Sequence, residues 1–307
     1  MEQLSICKLF NKNKSQGGVE NKNTRRIGVL ICSSRDAFFK EVRRGISDTI
    51  KGYAGFGIEL IVEVRSGEAV LSQVEAVRYM MKSGINALII TPISDPALLS
   101  YLEIISEKIP VITLNRQLDG FKRICHVGCD YISGGRAAAK MLGLFSGGVG
   151  NVAIFTESIK MSSLNKRIQG FSKLLEEEYP DYNILDIIQT SSKEKDSYEK
   201  ALDFLHDKSK NVTAVLVVSE GSDIVLKAIK DSAFDGNVVA FSLDDKIHDY
   251  LEDGTVEAAV SQNPYQQGTK AAKIICDYLL EQKLPTQEII IVSNQIYIKE
   301  TINKEDL

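Results

Sequence analysis

From Arg26 onward, strand-type and helix-type segments alternate along the chain with little between them, and few folds accommodate that rhythm. The apolar runs Ile27–Cys32, Ile58–Val64, Ala87–Thr91, Val111–Asn115 and Ile124–Cys129 read as strands, with helical periods after most of them, such as Phe38–Lys51 and Val70–Ser83. The rhythm then restarts. Asn151–Thr156, Ile184–Gln189, Ala214–Ser219, Val238–Ser242 and Val256–Ser261 read as strands, separated by helices at Arg167–Glu178, Ser197–Asp207, Asp223–Lys230 and Lys246–Glu252. Helix Gln266–Glu281 and the alternating tail Ile289–Ile298 close the chain. Such alternation is the pattern of an α/β, doubly wound parallel sheet. Its repetition predicts two lobes in tandem, with a cleft between the carboxyl ends of both sheets.

A chain of 307 residues is long enough for both lobes to bury a core. No apolar run reaches the roughly 18 residues that a spanning helix needs, so membrane insertion is not expected. The start, MEQLSICKLFNKNKS, lacks the apolar core of a secretory signal. Five cysteines, an odd number in a large chain, suit a reducing compartment better than a disulfide framework. Cys125 and Cys129 lie four apart on one strand and so face the same side, without further ligands nearby; they read as packing thiols, and no metal is expected.

Residues 1–25 are polar, contain Gly17 and Gly18 and show no sustained apolar period, so they read as a flexible basic arm. The whole chain carries a formal net charge of −4 and shows no nucleic-acid footprint outside that arm. Gly147, Gly148 and Gly150 precede a strand, whereas a dinucleotide fingerprint follows one, and a helix C-cap turn explains them better. Gly128, Gly134 and Gly135 lack both the fingerprint spacing and a Lys-Ser/Thr ending, so no nucleotide cofactor is expected. No serine or cysteine sits in an elbow motif, and His126 and His248 read as structural or surface residues, so the chain is not expected to be an enzyme. Phe38 and Phe39 open a helix just after the first strand, where open α/β sheets bind ligands.

The order of motifs resembles the effector-binding domain of lac-repressor-family transcription regulators, and through it the periplasmic sugar-binding proteins of the ribose-binding type. The matching pieces are SSRDAFFKEVRRGI (33–46), INALIITPISDP (85–96), IPVITLNRQ (109–117), HVGCDYISGGRAAAKML (126–142), SLNKRIQGF (163–171), VVAFSLDD (238–245), DGTVEAAVSQNPYQQG (253–268) and NQIYIKETI (294–302). The resemblance implies that Phe38 and Phe39 cover the apolar face of a sugar while Asp36 offers a carboxylate to its hydroxyls. It places Asn115 and Arg116 where relatives carry an Asp-Arg pair, and Asn165 and Arg167 on the second lobe. Thr91 and Gln262 match further ligand-contacting positions. Two positions depart from the family: the stretch after Ser219 reads Glu220, Gly221, Ser222 and Asp223 where relatives carry an Asn-Asp pair, and Phe241-Ser242 stands for Phe-Asp, with Asp244 two residues further on.

The same resemblance implies three chain crossings at a hinge, near Cys129–Asp130, Gln262–Pro264 and Pro285–Ile290, and a clamshell closure on the ligand. The lobes then comprise 26–129 plus 263–288 and 130–262 plus 289–307. Two functional classes compete. In the first, the chain is the sensory part of a cytoplasmic regulator, a side-by-side homodimer through Val70–Ser83 and Ala97–Lys108. In the second, it is the solute-binding receptor of a sugar ABC transporter. The lack of a secretory core, the cysteine usage and the segment NKNTRRIGVLI, which resembles the run-in that follows the hinge of such regulators, favour the first. A helix-turn-helix head with its hinge helix needs roughly 55 to 60 residues by family resemblance. Only about 25 precede the core, so no sequence-specific DNA binding is expected of this chain alone.

Overall fold

A computed structural model describes residues 24–31, 37–65, 70–190, 194–219, 223–241 and 245–302. The first sheet is built from β1 (Arg25–Ile31), β2 (Ile58–Val64), β3 (Ala87–Ile90), β4 (Val111–Leu114), β5 (Cys125–Cys129) and β11 (Ile289–Val292), in the order β11-β5-β4-β3-β1-β2. All its pairings are parallel. The second contains β6 (Gly150–Thr156), β7 (Tyr182–Gln189), β8 (Ala214–Val217), β9 (Asn237–Phe241), β10 (Ala258–Ser261) and β12 (Gln295–Tyr297), in the order β12-β10-β9-β8-β6-β7. It too is parallel, apart from the short edge strand β12. Two sheets of equivalent order, each covered by helices, are the doubly wound lobes expected from the alternation.

The central strands β3, β4 and β8 are buried along their whole length, which is why they read as continuous apolar runs rather than alternating ones. In the first lobe, α1 (Ala37–Gly52) and α9 (Pro264–Glu281) cover one face of the sheet, while α2 (Val70–Lys82) and α3 (Pro96–Ser106) cover the other. In the second, α4 (Tyr131–Phe145) and α5 (Ser162–Glu178) oppose α6 (Glu194–His206), α7 (Asp223–Asp231) and α8 (Asp245–Glu252). Helix starts follow capping chemistry. Asp95 accepts from the Ala97 amide at 2.7 Å ahead of Pro96, and Asp130 accepts from the Ser133 amide at 3.1 Å. Beyond the C-terminus of α4, Gly147 and Gly148 have φ of 70° and 86°, and the Gly148 amide donates to the Gly143 carbonyl at 2.8 Å. These glycines form a helix-ending turn, as read from their place in the sequence.

One helix pair in each lobe is packed backbone to backbone. A Cβ on Gly45 of α1 would overlap the Tyr265 carbonyl of α9, and one on Gly268 would overlap the Val42 carbonyl. In the second lobe, Gly135 of α4 faces the Arg167 carbonyl of α5, and Gly170 faces that of Ile132, with the same lack of room. Each pair therefore ties a helix that leaves a chain crossing, α9 or α4, to a helix whose first turns flank the strand ends, α1 or α5.

The chain passes between the sheets after β5, after β10 and between β11 and β12. The third passage differs from the sequence reading. Ile289–Val292 pairs with β5, so these residues belong to the first lobe and the crossing falls at Ser293–Asn294 rather than at Pro285–Ile290. An alternating tail looks the same whichever sheet each half joins, and here the two halves join different ones.

Candidate functional site

Carboxyl ends of strands from both sheets meet around Tyr131, the first residue of α4. On the first-lobe side β4 ends at Leu114, and Asn115 turns the chain with φ of 61°, a left-handed conformation that asparagine tolerates better than most residues. Arg116 follows that turn and is half-buried. The Tyr131 hydroxyl donates to the Asn115 carbonyl at 3.1 Å, across the two lobes.

On the second-lobe side Arg167 is 2% exposed. Its guanidinium lies 4.3 Å from the centroid of the Phe241 ring and 5.7 Å from that of Tyr131, and Nη1 donates to the Val218 carbonyl at 2.7 Å. Stacking on aromatic faces and bonding a strand-end carbonyl are the interactions that make a buried guanidinium tenable. Arg167 is therefore a buried residue of its helix rather than a surface one. Helix α5 starts at Ser162, five residues before the apolar period becomes visible, so Asn165 also lies within it. Two helical steps put Asn165 about 200° round the axis from Arg167, and the structure does not bring these two together.

The remaining expected residues are distributed as follows. Phe38 and Phe39 stand in the first turn of α1 as an edge-to-face pair with centroids 5.0 Å apart, each 6% exposed. They belong to the first-lobe core as well as to its rim. Thr91 follows β3 and is fully buried, with its amide bonded to the Leu30 carbonyl and its own carbonyl accepting from Gln73. Phe241 ends β9 beneath Arg167. Gln262 is buried at the second crossing, where its Oε1 accepts from the Cys129 thiol at 3.0 Å and its carbonyl accepts from Gln267 at 2.9 Å. Asp36, Gly221 and Ser242 lie outside the described residues.

Two residues of this region escaped the sequence reading, Tyr131 and Gln267, while Cys129 was read as a packing thiol beside a crossing and not as a partner of Gln262. Their only signal was position, on either side of a chain crossing. Asn294 joins them, donating to the Asp130 carbonyl at 2.9 Å and so linking the third crossing to the first.

No cluster of candidate metal ligands occurs among the described residues. Burial pushes the Cys125 and Cys276 thiols up to about 12, which leaves them protonated packing groups and not nucleophiles. His126 is buried on β5 with Nδ1 3.0 Å from the Thr113 hydroxyl, and burial holds its pKa down at about 4. These groups offer no acid–base or nucleophilic centre. Forked donors, amides and aromatic faces at the ends of two parallel sheets are instead suited to holding a polar ring.

Residues 27–283 match the model of the periplasmic binding protein domain. The chain belongs to that family. Among curated proteins, this binding-protein chain is 23% identical over 271 residues to the ribose import binding protein of Bacillus subtilis, covering 86% of this chain and 85% of the relative. Among solved structures, it resembles an ABC-transporter periplasmic solute-binding protein from Actinobacillus succinogenes with bound D-allose. The TM-score is 0.78 at 24% identity, over 90% of this chain and 98% of the other. It also resembles a protein assigned as a LacI transcriptional regulator from Bacteroides fragilis, with a TM-score of 0.77 at 19% identity over 90% and 98% of the two chains. None of the three is named as an enzyme, in agreement with the reading from sequence.

Proposed function

We propose that this chain binds a carbohydrate-type small molecule between its lobes and acts as the solute-binding receptor of a sugar ABC transporter. The observation that carries the reading is Arg167, buried against Phe241 and Tyr131, with the Tyr131 hydroxyl bonded to the Asn115 carbonyl of the other lobe. Aromatic faces pack against the C–H side of a sugar ring, and guanidinium and amide groups bond its hydroxyl edge. Ligand contacts available only when both walls meet favour the closed form. The ribose and allose named for two relatives support the same ligand class, and both of those relatives are transport proteins. The test is a thermal-shift screen of monosaccharides, sugar phosphates and polyols. A ligand at a hundred times its dissociation constant adds about 2.7 kcal/mol of stability. A panel without any stabilising member would sink the proposal.

A second reading, the sensory domain of a lac-repressor-type regulator, is favoured by the Bacteroides fragilis structure and by the order of sequence motifs. It carries with it a cytoplasmic location and a homodimer formed through α2 and α3, where Leu71, Tyr79 and Ile104 are exposed. Sequence-selective DNA contact would then come from an element other than residues 1–25. Sedimentation at micromolar concentration separates the readings: a receptor is monomeric and a regulator dimeric.

A further inference from the structure

We propose that Tyr131 holds the two walls of the cleft in register and thereby governs which sugars fit, a positioning role that rests on the sugar-binding reading above. Its backbone is fixed from two directions. Asp130 caps the helix through the Ser133 amide at 3.1 Å, and the Asp130 carbonyl is tied to Asn294 at 2.9 Å. The first turn of α4 also packs flat against its neighbours, since a Cβ on Gly134 would stand 3.3 Å from the Phe241 ring and 3.4 Å from the Asn294 amide. From that fixed base one side chain reaches both lobes. Its hydroxyl bonds the Asn115 carbonyl at 3.1 Å, and its ring lies 5.7 Å from the Arg167 guanidinium.

The Asn115 carbonyl belongs to the peptide that joins Asn115 to Arg116. A bond to it constrains that peptide plane, and hence the direction in which Arg116 leaves the left-handed turn. The ring does the same for Arg167 by packing against its guanidinium, which also lies over Phe241. Tyr131 therefore couples one arginine from each lobe, and its ring limits how deep a ligand reaches toward the hinge. A pentose ring and a hexose with its exocyclic carbon differ in that dimension.

The experiment compares the wild type with Tyr131→Phe and Tyr131→Ala by two readouts. Interlobe distance is measured without ligand, by paired spin labels on noncanonical residues at exposed Lys108 and His206. The distribution broadens in both variants because the strap to Asn115 is lost; a distribution unchanged from wild type in both overturns the proposal. Affinity is then measured by calorimetry for a panel of pentoses and hexoses. Tyr131→Phe weakens binding about threefold to tenfold, as one hydrogen bond implies. Tyr131→Ala shifts the hexose-to-pentose affinity ratio by about tenfold toward the larger ring. Equal losses across the panel in Tyr131→Ala would overturn the selectivity role, because a merely structural tyrosine lowers every affinity alike. A wild type that binds none of the panel refutes the sugar reading, and the distance measurement then decides the Tyr131 assignment alone.

Discussion

Arg167 and Arg116 are both arginines at the ends of elements, yet substitution should separate them. Arg116 is half-buried on a turn, so Arg116→Ala should weaken sugar binding about tenfold or more with little change in melting temperature, since a charge-assisted hydrogen bond is worth about 1.5 to 3 kcal/mol. Arg167 also fills space against Phe241, so Arg167→Ala should lose a similar factor in affinity and lower the melting temperature as well. Calorimetry and thermal denaturation of the two variants check both halves of the expectation; unchanged affinity in both would remove the arginines from the site. His126 makes a prediction of a different kind. Burial is the main cause of its pKa of about 4, with Arg123 pushing the same way and Asp119 opposing. Above pH 6.5 the imidazole is neutral in both the folded and the unfolded chain. As pH falls from 6.5 toward 4, the unfolded chain takes up a proton that the folded one refuses. Stability therefore drops by roughly 3 kcal/mol across that window. Denaturant titrations at pH 7 and pH 4.5 should show this loss in the wild type and a smaller one in His126→Gln.

At the level of elements, the backbone-to-backbone helix pairs set a narrow tolerance. Gly170→Ala inserts a methyl group where the Ile132 carbonyl already stands, so α4 and α5 must separate. We expect a destabilisation of about 1–3 kcal/mol by denaturant unfolding, with a loss of ligand affinity because Arg167 rides on α5. Ala233→Gly should act in the opposite direction. Ala233 follows α7 with φ of 50°, a strained value for an L-residue, and its amide closes onto the Lys230 carbonyl at 3.1 Å. Glycine there should add about 0.5–1 kcal/mol in the same assay, after allowing for its greater freedom in the unfolded chain. These helix contacts also mark the limit of what the sequence disclosed. Strands such as Ala87–Ile90 and Ala214–Val217 were legible because burial on both faces leaves an unbroken apolar run. The first turn of α5 was not, because Ser162, Ser163, Asn165 and Lys166 carry no apolar period. Of the site, Arg167 and Phe241 were legible by resemblance, while Tyr131 was not, because its partners lie at Asn115 and Arg167, outside any local pattern.

The molecule as a whole is two similar lobes threaded through each other by three crossings, with β11 completing the edge of the first sheet only after the chain has left the second lobe. The crossings are bonded to one another, Cys129 to Gln262 between the first and second and Asn294 to Asp130 between the third and first. The threading also has a bearing on biosynthesis. The first lobe begins to emerge from the ribosome at Arg25 but cannot seal its core until Pro264–Glu281 covers Gly45 and Ile289–Val292 pairs with β5. Throughout translation of the second lobe, the β5 edge and the apolar face under α1 stay open to water and to other nascent chains. A chain ending at Gln262 would keep that exposure permanently, so it should be recovered as aggregate or as proteolytic fragments. Delayed completion of the first-made lobe gives translation speed and chaperone holding a direct influence on yield.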